Sequence, residues 1–391
     1  MVLLDDEFLE EGGHSYTVTP SGLGGADLEL PPGTWQWTLT GVSAVDGHEE
    51  VREGTVVSRW SERDALPIGH VVVKGVDLWD GHLVVSREDF SIPARGPDLT
   101  FARTYGSAAA GPAGPMGAGW AHTWESRVVV TPCGEAIVVG GEGSGMRFVD
   151  DGSGGLRTLK GHHGSLVADE GSGAFDFYTT GGTRYHYGHL FESEFYLQWV
   201  EDPYGNRLSV TYAGEPGAPR PAAVRDAAGR VLRFTYQRAL FGLDGEGVVL
   251  TRVEGPGGAA VEFTYDGWGN LVGAAREPHG EGSPSRVERY DYAFGPEHGF
   301  EERHLLVAVH DEVTGAETRY EYEHGAVGFQ GNVSVPRAFV WRVIEPEGGE
   351  TEFAVGIATA GDLSGVEVLE TAVTDRRGEA TSYTLNRYGS P

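Results

Sequence analysis

Two histidine pairs, His186 with His189 and His162 with His163, are the residues whose types and spacing first suggest metal chemistry. In a strand, a separation of three puts the side chains of His186 and His189 on opposite faces, so they do not converge on one ion. Neither pair has a third ligand at a fitting distance in the chain, and both read as surface or polar-face histidines. Gly140-Gly-Glu-Gly-Ser-Gly145 has the glycine density of a phosphate loop. Strand text, Met146-Arg-Phe-Val149, follows it instead of Lys-Ser/Thr and a helix, so it reads as a hairpin loop. Asp150-Asp-Gly-Ser-Gly154 lacks the alternating carboxylates and distal Glu of a calcium loop and reads as a turn. The lone Cys133 excludes an internal disulfide and any Cys₄ or Cys₂His₂ zinc site. There is no Gly-x-Ser-x-Gly, and choosing two of 58 acidic residues as a glycosidase pair would be arbitrary. Trp35 and Trp37 share a strand face, where core packing is the default and a sugar platform the alternative. The expectation is a protein without catalytic residues, cofactor or metal.

What would hold such residues in place is a repeated phrase: an Asp, two residues, a Gly, then an alternating strand ending in Tyr. Asp202-Pro-Tyr-Gly205 runs to Tyr212, and Asp226-Ala-Ala-Gly229 runs to Tyr236. Gly258 precedes Tyr265, and Gly315 precedes Tyr322, by the same seven residues. Asp266-Gly-Trp-Gly269 follows Tyr265 directly, and Asp375-Arg-Arg-Gly378 opens a further copy, with Tyr383 placed as Tyr320 is in the one before. The Asp side chain can accept from its own backbone two residues on, and Gly takes the φ > 0 position of the turn. After each Gly the residues alternate. Leu232, Phe234 and Tyr236 share one face against Val231, Arg233 and Thr235; Val261, Phe263 and Tyr265 oppose Glu262 and Thr264. That is the pattern of an antiparallel sheet with one wet side. The tyrosines at 212, 236, 265, 292 and 322 stand 24 to 30 residues apart, room for two strands and two turns.

Composition agrees. The 391 residues include 61 Gly, 20 Pro and 10% aromatics, a turn-punctuated chain with aromatics enough to bury. No convincing three-turn amphipathic helix occurs. A net charge of −29 disfavours nucleic acid and anionic membrane. No apolar run approaches the ~18–20 residues of a membrane helix. The start, Met1-Val-Leu-Leu-Asp-Asp-Glu7, carries no Sec-type signal.

Three regions are expected. Residues 1–66 read as a small β-sandwich-like segment, similar in part to fibronectin type III modules. Residues 67–200 read as an opening segment, of which 67–130 carry the most specific text outside the repeats, and 201–391 carry the repeats. The specific text comprises a strand ending Asp89-Phe90-Ser-Ile-Pro93, then Leu99-Thr-Phe101-Ala-Arg103-Thr-Tyr105. A hairpin follows, Gly117-Ala-Gly119-Trp120-Ala-His122-Thr-Trp124. In this order, with the repeats behind, it resembles the opening of the Rhs (YD-repeat) shell proteins over residues 70–391, about four-fifths of the chain.

The resemblance implies a β-sheet wound in a spiral into a hollow shell, one strand face toward the lumen. In bacterial Rhs and insecticidal toxin-complex proteins the shell holds a C-terminal toxin, and teneurins reuse it extracellularly. It also implies partners: a toxin cargo domain or a remaining shell segment, in cis or trans, and a component of a secretion machine. Export would follow a route without a Sec-type signal, from the cytoplasm. The chain departs from a complete member in its five or six repeats, too few to enclose a folded enzyme, and in stopping within repeat text. Those departures suggest a continuation or a partner chain. Asp202-Pro203 resembles the text at which the family cleaves itself, but the neighbouring repeats make it one more turn. The expected function is a non-catalytic scaffold that encapsulates a toxic effector. The alternatives are a cell-surface adhesion or carbohydrate-binding protein and, more remotely, a hydrolase on a propeller, whose ~40–45-residue blades do not match.

Overall fold

Turn chemistry accounts for most of the strand boundaries. In a computed structural model, the described residues are 33–42, 49–58, 69–109, 114–131, 135–158, 163–169, 171–191, 194–214, 219–241, 245–277, 286–293, 302–326, 336–355 and 368–386. The chain divides into two compact units, 1–62 with 131–134, and 63–130 with 135–391. In the first, β1 (Gly33–Val42) and β2 (Glu49–Ser58) form an antiparallel hairpin.

The second unit is all-β and has two parts. The first is an inner segment. It contains β3 (Val72–Val73), β4 (Val76–Asp77), β5 (Val84–Ile92), β6 (Leu99–Gly106) and β7 (Trp120–His122), with β5, β6 and β7 forming a three-stranded sheet. The second part is one long antiparallel wall. Its early strands are β8 (Arg127–Val130), β9 (Ala136–Val139), β10 (Gly145–Asp150) and β11 (Leu156–Thr158). Next come β12 (Ser165–Asp169), β13 (Ala174–Tyr178), β14 (Arg184–Phe191) and β15 (Glu194–Glu201). The repeats supply β16 (Arg207–Ala213), β17 (Arg220–Arg225), β18 (Val231–Phe241), β19 (Gly245–Glu254) and β20 (Ala260–Tyr265). They continue through β21 (Leu271–Arg276), β22 (Arg286–Tyr292), β23 (Leu306–Asp311) and β24 (Ala316–Ala326). The last four are β25 (Pro336–Ile344), β26 (Glu350–Val355), β27 (Val368–Thr374) and β28 (Ala380–Asn386).

The wall closes on itself, and β15 shows how. Its first half, Glu194–Tyr196, pairs with β8, while Trp199–Glu201 pairs with β16. β14 lies along its other side. The eight strands β8 to β15 therefore complete a circuit, and the repeats continue from the strand that closes it. A closed circuit hides two sheet edges that would otherwise expose unpaired backbone. Too few repeats to enclose a folded enzyme was the expectation, and the closure seen here does not come from the repeats. The strands before the repeats make the closure instead.

Four turns follow the Asp-x-x-Gly phrase to the atom. Asp202, Asp226, Asp266 and Asp375 each accept at Oδ1 from the amides two and four residues on, at 2.8–3.0 Å. The Gly three residues after each Asp has φ between +79° and +85°, where a Cβ would be strained. The Glu379 amide, first among several donors, holds the exposed carboxyl of Asp375 below the usual range. Two repeats use other turns: Gly255-Pro-Gly-Gly258 has no Asp, and Asp311–Gly315 is one residue longer. A turn that the repeat phrase does not reveal is Glu345-Pro-Glu-Gly348, with Gly348 at φ +76° and Phe353 buried five residues on.

Candidate functional site

The repeat tyrosines sit where the pairing slips. Register shifts occur at Tyr212, Tyr236, Tyr265, Tyr292 and Tyr322, each time leaving one extra residue on the following strand. Across these bulges the tyrosines face Pro221, Leu250, Leu271, Leu306 and Val340; the bulge of β14–β15 likewise sets Tyr187 against Leu197. All six facing residues are buried. A bulge removes ladder hydrogen bonds, and a buried backbone group must find another partner.

The carbonyls find theirs in the next repeat. The Tyr212 hydroxyl donates to Leu197 O (2.7 Å) and Tyr236 to Pro221 O (3.0 Å). Tyr265 donates to Leu250 O (2.6 Å), Tyr292 to Leu271 O (2.8 Å) and Tyr322 to Leu306 O (2.9 Å). Burial pushes all five phenols up beyond any ordinary working pH, so they remain donors. The repeat Tyr is therefore a rung: its hydroxyl secures the bulge behind it, and its backbone faces the bulge ahead.

Four of the amides turn inward to the inner segment and the short stretch that leads from it into β8. Leu197 N donates to Ser126 O (3.2 Å), Leu250 N to Pro115 O (2.7 Å) and Val340 N to Gly81 O (2.8 Å). Leu306 N donates to the Tyr105 hydroxyl (3.0 Å), which in turn donates to His304 O (2.8 Å). Pro221 needs no acceptor, having no N–H. The described residues of 71–124 thus act as a plug that takes up the bulge amides of Leu250, Leu306 and Val340.

One buried ionic cluster fixes the plug's position. The Arg103 guanidinium is 1% exposed and donates twice to Asp89, at 2.8 and 3.1 Å. It also donates to Glu288 Oε2 (2.9 Å) and to the Tyr290 hydroxyl (2.6 Å) of β22. Trp120, Tyr290 and Phe263 ring it at 5.3–5.7 Å. Burial opposes ionisation of Glu288, but Arg103, Arg87 and Arg286 outweigh it and hold the carboxyl at about 2. Such planar, multidentate pairing is what arginine provides and lysine does not.

The other opening-motif residues share this interface. Phe101 packs against Phe90, Phe234 and Phe263, and His122 stacks on Phe234. Trp120 Nε1 donates to the Tyr292 hydroxyl, Trp124 Nε1 to Thr100 O, and Pro93 O accepts from Arg230. At Gly119, φ +75°, a Cβ would lie 2.7 Å from the Tyr105 ring. His122 is buried and held neutral, its value lowered by burial to about 3. The neighbouring Glu125 is raised by burial to about 7, and its Oε1 lies 3.5 Å from His122 Nε2.

A hollow shell with one strand face toward the lumen was the expectation; among the described residues the plug packs on that face at Phe234, Phe263 and Tyr290. The reason is that inward Leu232, Val261 and Leu306, all 0% exposed, and the bulge amides both need a partner. His186 pairs with Asp176 and stacks on Trp199 at 4.6 Å; the His189 side chain, His162 and the side chains of Trp35 and Trp37 lie outside the described residues. Gly140–Ser144 is the hairpin loop between β9 and β10, with Gly145 opening β10, and Asp151 accepts from Ser153 N and Gly155 N in a turn. A cleft of about 310 Å³ opens beside the Tyr292 rung, with Asp266, Trp268, Asp291 and Arg303 in its lining. Sequence reasoning passed over Asp77, Asp80 and His82, which converge at the start of the plug, and His70, which pairs with Asp77. The signal was there as two Asp and two His within thirteen residues.

A family described as a domain of unknown function (DUF6531) matches residues 74–148. No curated protein matches the sequence. Among solved structures, a Photorhabdus luminescens Tc holotoxin pore is 12% identical with a TM-score of 0.43, over 84% of this chain and 22% of that one. A TcdB2–TccC3 structure is 13% identical with a TM-score of 0.38, over 83% and 21%. A porin-like protein from Bacteroides uniformis is 9% identical with a TM-score of 0.19, over 82% and 97%. The chain spans about a fifth of the length of the first two. Among the described residues no helix is long and apolar enough to cross a membrane, which says nothing about strands.

Proposed function

We propose that this chain is a non-catalytic scaffold, the opening part of an Rhs/YD-repeat shell that encapsulates a toxic C-terminal effector and takes part in its delivery. The observation that carries the reading is the rung system. Each repeat depends on the tyrosine of the next, so the wall is stabilised by adding repeats, as a winding enclosure requires. The plug supplies the second support: a circuit filled by its own chain forms a sealed end, which a container needs before it has a lumen. Cargo or further shell, in cis or in trans, is then the partner, and export without a Sec-type signal the route.

The test is the native product of the source cell, isolated intact, weighed and imaged by electron microscopy. A species well above 41.9 kDa, or a fixed complex with a second large chain, enclosing a cavity is the expected result. A stable 41.9 kDa monomer without a cavity would overturn it. Saturable glycan binding abolished by Trp35→Ala would then establish the adhesion alternative.

A further inference from the structure

The plug begins with a turn whose side chains do more than packing asks of them. Asp77, Asp80 and His82 are 0%, 5% and 3% exposed, and three of their donor atoms lie within 4.8 Å of one another. His70 joins them, its Nδ1 2.7 Å from Asp77 Oδ2, with its ring held edge-on to Trp79 at 5.3 Å. His82 Nδ1 stands 2.5 Å from Asp80 Oδ1 and 3.4 Å from Asp77 Oδ2. The backbone sets this convergence. Gly81 N donates to Asp77 O and Asp77 N to His82 O, while Asp77 Oδ1 and Asp80 Oδ1 accept from the amides of Trp79 and His82. Gly81, at φ +73°, has no room for a Cβ, because Phe339 Cβ would be 2.6 Å away.

The geometry points to a site for one divalent transition-metal ion of the zinc type, held by Asp77, Asp80 and His82, with His70, bonded to Asp77, drawn in as the fourth ligand. Two imidazoles and two carboxylates match zinc's preference for nitrogen and oxygen donors and leave the ion formally neutralised. Donors about 2.0–2.2 Å from a tetrahedral zinc stand roughly 3.3–3.5 Å apart, the spacing already present between His82 Nδ1 and Asp77 Oδ2. The shorter His–Asp contacts are hydrogen-bond lengths. There the metal replaces the shared proton and the pairs open slightly. Imidazole donors disfavour calcium and magnesium. Partial exposure of His70, 14% at its side chain, leaves a path for the ion. This site would lock the plug to the late wall. Gly81 O accepts from Val340 N at a bulge, Leu78 O accepts from the Thr371 hydroxyl at 2.7 Å, and Lys74 bonds Glu345 at 2.6 Å. It stands whether or not the wall encloses a cargo.

The full chain, stripped with chelator, is titrated with Zn²⁺ by calorimetry and with Co²⁺ by visible spectroscopy, with thermal unfolding followed in parallel. One ion per chain, a tetrahedral Co²⁺ spectrum and a higher unfolding temperature are expected. Affinity falls by roughly tenfold or more in Asp80→Asn and in the partly exposed variant His70→Ala. Folding of His70→Ala is checked by its circular dichroism, so loss of binding is not loss of structure. Absence of binding at millimolar Zn²⁺, or binding undiminished in both variants, would overturn the site and leave two histidine–carboxylate pairs bracing a turn.

Discussion

The wall and the plug are built on opposite principles. In the wall, partners are near in sequence: Tyr236 reaches back 15 residues to Pro221, and Tyr265 reaches 15 to Leu250. In the plug, partners are remote: Arg103 meets Glu288 185 residues on, and Leu78 meets Thr371 293 residues on. The wall can be assembled hairpin by hairpin. The plug has nothing to dock on until most of the wall exists, so its loop-closure entropy is repaid last. A periodic sheet leaves a periodic set of bulge amides, and the non-periodic plug satisfies those of Leu250, Leu306 and Val340.

That contrast is broken most severely at Arg103. Arg103→Met should destabilise the chain by about 3–5 kcal/mol, because Asp89 and Glu288 would remain buried without their cation; urea denaturation measures it. A milder loss would mean that the wall holds without this anchor. Tyr265→Phe tests a rung. It strands the Leu250 carbonyl and should cost about 2 kcal/mol, with hydrogen exchange rising at β19 and β20 ahead of the plug. Uniform exchange would show that rungs and plug unfold together.

Smaller effects sharpen the picture. Glu125, whose folded value lies above its unfolded one of 4.5, binds extra protons when folded. Its contribution is present below 4.5 and lost as pH rises through about 7. With 17% of its side chain still exposed, the swing should be on the order of 1–2 kcal/mol, discounted for solvent. Glu125→Gln should flatten the stability curve over that window, and an unchanged slope would remove Glu125 as its source. The smallest change is Gly229→Ala, at φ +83° with open space around it. Only backbone strain acts there, about 1 kcal/mol, read from a thermal melt. A larger loss would tie that wall turn to the plug.

Much of the wall was legible. Asp226-Ala-Ala-Gly229 carries its turn in two residue types, and Leu232, Phe234 and Tyr236 carry their burial in a period of two. The turn at Gly348 was missed because Glu345 stands for Asp and Val355 for Tyr. The bulges were not legible, since a one-residue slip leaves no mark in composition and shows only when two strands are paired. Trp120 and Trp124 stand in one hairpin phrase, yet Trp120 reaches Tyr292. The His70–His82 convergence stayed hidden because reading by strand period separates residues that a turn brings together.

By itself, the sequence determined the antiparallel repeats, their turns and which face of each strand is apolar, because these follow from φ preferences and side-chain alternation within a few residues. Only the tertiary structure decided where the sheet closes, that β15 is shared between β8 and β16, and that the described residues of 71–124 occupy the apolar face. Those outcomes depend on where bulges leave backbone groups unpaired and which distant group can satisfy them. They are relations between segments up to some 290 residues apart, which no local pattern records.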